Sequence, residues 1–127
     1  MTVVFELPGL CTSLNKERAA SRWERAALTK QWRHVAWAIA RSKQVPPFTV
    51  PVIIVAQPFQ SRGKLADAGN HLPSVKAAVD GLVDAGVLAG DDPRYVAALM
   101  LLAPIRGTDG LIVSVTTQTA MTEGTKH

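Results

Sequence analysis

The fold follows from two neighbouring stretches of the 127-residue chain, TVPVIIVA at residues 49–56 and PSVKAAVDGLVDA at residues 73–85. The first is rich in β-branched residues, which favour a strand, and Pro51 lies near its start, where a missing N–H is tolerated. In the second, apolar residues recur every three or four positions, which is the spacing of one helix face. The two stretches therefore predict a strand and then a helix, with a basic loop at residues 58–66 between them.

Further segments on both sides complete the predicted order of elements. They are a strand at residues 2–7, a helix at residues 21–42 that starts at the N-cap residue Ser21, and strands at residues 95–102 and 111–117. The sequence Gly-Thr-Asp-Gly at residues 107–110 indicates a hairpin loop between the last two strands. The order β-α-β-α-β-β predicts an α/β fold of the α+β-like kind, a small mixed sheet of about four strands with two packed helices.

Length and composition indicate one domain at residues 1–118, followed by a flexible polar tail at residues 119–127. The single cysteine, Cys11, cannot form an internal disulfide, so we expect an inert thiol and a reducing compartment. No signal-peptide pattern opens the chain, and its longest apolar run, residues 95–105, is shorter than the roughly 20 residues that span a bilayer. We therefore expect a cytoplasmic protein with no membrane partner.

The charges divide unevenly along the chain. Residues 1–64 carry ten Lys and Arg and three acids, a net charge of +7, whereas residues 65–127 carry four Lys and Arg and seven acids, a net charge of −3. A basic half is suited to a polyanion, and an acidic half to a divalent cation. The alternative is that folding interleaves the two halves and their fields cancel.

The common catalytic motifs are absent from the sequence, and a cluster of acids around one lysine remains. There is no Gly-x-x-x-x-Gly-Lys-Ser/Thr phosphate loop, no Gly-x-Gly-x-x-Gly after a strand, and no Cys and His spacing for zinc. Asp67 and Asn70 lie in a turn-rich stretch, Lys76 and Asp80 are four residues apart on the predicted helix, and Asp91-Asp92 follow it. If the last loop folds back, Asp67 meets one of these acids, and close carboxylates favour a bound Mg²⁺.

Each of these residues also has an ordinary structural interpretation. Asp92 before Pro93 is typical of a turn or an N-cap, and Asp67 and Asn70 beside a glycine are typical turn residues. Lys76 and Asp80 fit a solvated helix pair. By the same reasoning, His71 and His34 are surface or capping residues, and Trp23, Trp32 and Trp37 belong to the core or to a protein interface.

Taken in order, residues 67–92 carry a more specific pattern. It consists of Asp67, Asn70, Lys76-Ala77-Ala78, Asp80-Gly81-Leu82, Ala85-Gly86 and Asp91-Asp92. This pattern resembles the RusA family of Holliday junction resolvases, which shows Asp-x-Asp-Asn, then Lys, Asp-x-Leu, Gly and Asp-Asp. A first strand ending in Leu7-Pro8, Asn15 with nearby arginines, and a basic helix extend the resemblance over most of the chain.

The resemblance implies a homodimeric, metal-dependent endonuclease, often encoded by phages, that cuts four-way DNA junctions with Mg²⁺ or Mn²⁺. It assigns catalysis to Asp67, Lys76 and Asp92, metal binding to Asp67, Asp91 and Asp92, and supporting roles to Asn70, His71 and Asp80. The DNA-contacting side chains it suggests are basic residues of the N-terminal half: Arg18, Arg22, Arg25, Lys30, Arg33, Arg62 and Lys64.

The sequence departs from the family pattern at Gly69, which stands where the second aspartate is usual. The leading hypothesis is an endonuclease acting in recombination, repair or phage DNA processing. Gly69 keeps a second hypothesis open, a catalytically degenerate relative that binds branched DNA or a host protein without cutting. A third is a small basic adaptor that uses its tryptophans at a protein interface.

Overall fold

A computed structural model describes residues 1–9, 11 and 21–118. The predictions made for Arg18, for Asn15 and for a tail at residues 119–127 lie outside this part of the chain. The elements are β1 (Thr2–Pro8), α1 (Arg22–Lys43), β2 (Val52–Gln60), α2 (Leu72–Asp84), β3 (Val96–Leu101), β4 (Ile105–Arg106) and β5 (Gly110–Thr117). The predicted mixed sheet with two helices is confirmed, and so is Ser21 as the N-cap of α1, where its hydroxyl accepts the Glu24 N–H.

The strands form one mixed sheet in the order β1-β5-β2-β3. β5 is antiparallel to both β1 and β2, whereas β2 and β3 are parallel and are joined through α2. The short strand β4 also pairs with β2, in parallel, beyond the end of β3. β5, the last described strand, therefore lies in the middle of the sheet.

β2 is longer than predicted, because it continues through Pro58 to Gln60 instead of ending in a loop at residue 58. A proline inside a strand removes one donor from the ladder. Pro58 lies between the pairing of Ala56 with Leu101 in β3 and that of Phe59 with Ile105 in β4. On this side β2 has a gap between two partner strands, so the missing N–H removes no ladder hydrogen bond.

The predicted hairpin at residues 107–110 was wrong, because β4 and β5 lie on opposite sides of β2 and do not pair with each other. The connection instead passes over the end of β2. Asp109 holds it there, as its carboxylate accepts hydrogen bonds from the Ser61 N–H (2.9 Å) and the Ser61 hydroxyl (2.8 Å). A glycine-rich stretch between strands predicts a tight turn, but not which strands the turn joins.

The core forms between one face of the sheet and the helices. Along β2 and β5, every second side chain is buried against α1 and α2, in the two-residue period of a strand with one covered face. α1 contributes Trp32, Ala36 and Ala40 to this core. The alternate residues, such as Ile53, Val55 and Ile112, lie on the opposite face, which no described helix covers and which we call the open face. Neither described helix has the combination of length and apolarity that crossing a membrane requires.

Gly81 sets how closely the helices approach. A Cβ added at Gly81 would lie 2.3 Å from the carbonyl oxygen of Arg33 and 2.7 Å from the Cβ of Ala36, both in α1. Such distances are far inside van der Waals contact, so only glycine fits where α2 crosses α1. The Asp80-Gly81-Leu82 part of the sequence pattern therefore has a packing role in this fold.

Candidate functional site

The acids and the lysine of the sequence pattern all belong to the unit β2–α2–β3. Asp67 and Asn70 lie between the end of β2 and the start of α2, and the Asn70 N–H donates to the Asp67 carbonyl in a turn. Asp91 and Asp92 lie between the end of α2 and the start of β3. The strands are parallel and the helix runs back between them, so the two loops lie at opposite ends of the sheet.

The contacts of the two loops confirm this separation. Asp67 borders a shallow depression with Leu101 and Leu102, at the far end of β3. The carbonyl of Asp92 accepts the N–H groups of Tyr95 and Val96, at the beginning of β3. Six residues of extended strand separate these ends, a distance of about 16 Å. The expectation that Asp67 meets Asp91 or Asp92 is therefore not met within one chain.

Lys76 and Asp91 border the same cleft. They line a cleft of about 280 Å³ between α2 and β3, whose walls include Ile54, Val79 and the strand residues 96–99. Both charged side chains are exposed. The cleft thus combines an apolar floor with a cation and an anion at its rim.

Asp92 takes the turn conformation that its position before Pro93 indicates. Its Oδ1 accepts the Arg94 backbone N–H at 2.9 Å, and its two oxygens accept the Arg94 guanidinium at 3.1 and 2.9 Å. Hydrogen bonds from the Arg94 side chain, then from its backbone, lower the pKa of the Asp92 carboxyl. The carboxylate is therefore ionised but already engaged by a cation.

A second group of predicted residues lines a pocket of about 480 Å³ beyond the end of β2. It is lined by Asn70, His71, Arg62, Lys64 and Asp109, among others. Gln60 shapes this pocket, because its side-chain amide donates to the carbonyls of Arg62 and Lys64, at 2.7 Å each. Sequence reasoning missed Gln60 and Asp109, since their roles depend on loops that meet only in the folded chain.

No protein-family model matches the chain, and no curated protein sequence matches it. The functional conclusion therefore depends on the residues and their arrangement.

The basic side chains of α1 differ in their availability. Arg22, Arg25 and Lys30 are exposed, and Arg22 lies over the ring of Trp23. Arg33 instead makes a bidentate ion pair with Asp84 of α2, with N–O distances of 2.5 and 2.8 Å, and Asp80 adds a weaker attraction. The Arg33 guanidinium lowers the pKa of the Asp84 carboxyl through this hydrogen bond. Arg33 thus joins the helices and is less free than its neighbours to meet a ligand.

The acids of the sequence pattern lie at separate positions in the described part of the chain. Among the residues that the structure describes, no three Asp, Glu, His or Cys side chains are grouped closely enough to hold a metal ion. The single-chain arrangement offers two separate acidic positions, Asp67 at one end of β3 and Asp91-Asp92 at the other.

Proposed function

We propose that the chain is a RusA-like, metal-dependent endonuclease that cuts four-way or other branched DNA in the cytoplasm, during recombination, repair or phage DNA processing. One observation carries the proposal. The acids and the lysine of the RusA-like pattern lie on a single strand–helix–strand unit, where Lys76 and Asp91 share a cleft. Asp67, Lys76 and Asp91 are exposed on this unit, so a DNA backbone can approach them.

The exposed cations give the DNA a place to bind. Arg22, Arg25 and Lys30 project from α1, and Arg62 and Lys64 line the pocket beyond β2. Lysine and arginine side chains that neutralise phosphates supply most of the sequence-independent affinity for DNA. A four-way junction has a dense array of phosphates and no required base sequence, so it suits such a surface.

Within the cleft, Lys76 would stabilise the negative charge that develops on the phosphate during hydrolysis. A bound Mg²⁺ or Mn²⁺ ion supplies activation of a water molecule and further charge stabilisation. Asp67 and Asp92 are too far apart to hold one ion within a chain, so a site that uses both must draw on two copies. A two-fold dimer with two such sites matches the symmetric cuts that junction resolution requires.

A synthetic four-way junction incubated with Mg²⁺, with Mn²⁺ and with EDTA tests the proposal. We expect paired, symmetric nicks that EDTA abolishes. The double variant Asp67→Asn, Asp92→Asn should bind the junction but not cut it, whereas Glu6→Gln, which removes an exposed carboxylate on β1, should cut normally. Cutting by the double variant would refute the site assignment, and a wild-type protein that never nicks the junction would refute the enzyme.

A second candidate function is binding of branched DNA without cleavage. Gly69 favours it, because it occupies the position of an expected aspartate and has a φ of +84°, a conformation that glycine adopts most readily. The engagement of Asp92 by Arg94 points the same way. Calorimetry with Mg²⁺ separates the two functions: heat of binding that disappears in Asp67→Asn supports the enzyme, and its absence in the wild type supports the binding protein.

A further inference from the structure

One side of α1 carries aromatic and basic side chains in alternation. At about 100° per residue, five positions fall within an arc of about 60° around the helix axis and span about 27 Å along it. These residues, which we call the α1 stripe, are Trp23, Lys30, His34, Trp37 and Arg41. All five are exposed. The single acid of α1, Glu24, lies outside this arc, so the stripe carries no negative charge.

The two tryptophans of the α1 stripe are open to solvent. Trp23 is 78% exposed and Trp37 is 38% exposed, whereas Trp32 of the same helix is buried in the core. Arg22 lies over the Trp23 ring at 5.6 Å, and His34 stacks on Trp37 with ring centroids 5.5 Å apart. A ring left in water forgoes the stabilisation that burying its large apolar area would give. Exposed rings flanked by cations suit a ligand that is both aromatic and negatively charged.

We propose that the α1 stripe binds single-stranded nucleic acid, with unpaired bases stacked on Trp23 and Trp37 and backbone phosphates beside Lys30 and Arg41. Proteins that bind single strands without sequence preference combine aromatic side chains with a positively charged track in this way. In a duplex the bases stack on one another inside the helix, so they offer no face to a tryptophan. A protein partner fits the stripe less well, because lysine is depleted at protein interfaces.

The α1 stripe belongs to a different part of the fold from the proposed cleavage site. α1 packs against α2 and β1, and β1 is the edge strand farthest from β3 in the sheet. The cleft that Lys76 and Asp91 border lies instead between α2 and β3. Single-strand binding is therefore a further activity, and it holds or fails whether or not the chain cuts a junction.

Fluorescence anisotropy of the full chain with a labelled oligothymidylate tests the proposal, and a labelled duplex with the same number of phosphates is the comparison. We expect the wild type to bind the oligothymidylate more tightly than the duplex. Trp23→Ala should weaken single-strand binding by about tenfold, because one base loses its stacking partner, and should change duplex binding little. Trp23→Phe should keep most of the affinity, since an aromatic ring remains.

Two exposed lysines of α1 provide matched variants. Lys30 lies in the α1 stripe, whereas Lys43 lies on the opposite side of the helix. Lys30→Ala should reduce the slope of log K against log salt for the oligothymidylate by about 0.7, the value for one phosphate contact on a single strand. Lys43→Ala should leave this slope unchanged.

Thermal unfolding of each variant checks that it is folded. A wild type that binds the duplex as tightly as the oligothymidylate would overturn the proposal, as would a folded Trp23→Ala with unchanged affinity or equal slopes for the two lysine variants. A wild type that binds neither probe would also overturn it and would leave the exposed tryptophans for a protein partner. Nicking of a four-way junction by a chain without single-strand preference would retain the endonuclease and remove this second binding surface.

Discussion

At the scale of single residues, Cys11 shows how burial controls chemistry. Its thiol donates to the carbonyl of Gly110 at 3.6 Å, and burial, with a smaller effect of Asp109, raises its pKa to about 12. The thiolate is the reactive form, so at pH 8 a thiol reagent should label the native protein very slowly and the urea-unfolded protein at the rate of a free cysteine. Rapid labelling of the folded protein would contradict this placement.

Arg25 and Arg33 can be compared directly, because both lie on α1 but only Arg33 forms an ion pair with Asp84. Arg25→Ala should weaken junction binding and reduce the slope of log K against log salt by about 0.9, the value for one lost phosphate contact. Arg33→Ala should change this slope little. Filter-binding or anisotropy titrations at several salt concentrations measure both. An equal loss of slope in the two variants would mean that Arg33 leaves Asp84 to meet DNA.

The candidate site was predictable from the sequence only in part. The residue types and their order placed acids and a lysine on a strand–helix–strand unit, which the structure contains. Their expected meeting failed, because a helix between two parallel strands returns the chain to the starting end of the sheet. The parallel pairing of β2 and β3 would have revealed this, but strand direction depends on contacts far apart in sequence.

At the scale of elements, the crossing of α1 and α2 gives a sharp prediction for Gly81→Ala. Helix propensity alone would stabilise this variant by about 1 kcal/mol. The overlap with the carbonyl of Arg33 should dominate and destabilise the fold by about 3 kcal/mol, the upper end of the usual overpacking range. Urea unfolding measures the net change.

Gly86→Ala is the control for this prediction. Unlike the helical Gly81, Gly86 has a positive φ, +81°, and a Cβ there has no atom within 4 Å. The variant should be destabilised only by the strain of a side chain in the left-handed backbone region, about 1–2 kcal/mol of unfolding free energy. If Gly81→Ala is tolerated as well as Gly86→Ala, the helices are less closely packed than the structure has them.

The elements themselves followed from local patterns, whereas their connections did not. Ser21, the helix periodicities and the β-branched stretch set the order of helices and strands correctly. The extension of β2 past Pro58 depends on a gap between β3 and β4, and the path of residues 107–109 depends on Ser61, which lies 48 positions away from Asp109. Secondary-structure propensity depends only on the residues of a segment, so it does not reflect partners that are distant in the sequence.

At the scale of the whole molecule, the proposed dimer predicts that two inactive variants recover cleavage activity when they are mixed. Asp67→Asn and Asp92→Asn should each fail to cut a junction. In an equal mixture about half of the dimers are mixed, and each mixed dimer has one site with both aspartates intact. The mixture should therefore nick one strand of a junction without making the paired cut, as a denaturing gel would show. A mixture no more active than its components, when the wild type cuts, would show that no site combines Asp67 of one copy with Asp92 of the other.

The central position of β5 has a consequence for how the chain is made. β1 and β2 both pair with β5, which follows every other described strand in the sequence. During translation, β1 and the long apolar strand β2 therefore remain without this pairing partner until residue 117 has emerged from the ribosome. Until then, each exposes an edge that its final neighbour will cover. The nascent chain is thus most vulnerable to aggregation just before synthesis of the sheet is complete, and chaperone binding would matter most in that interval.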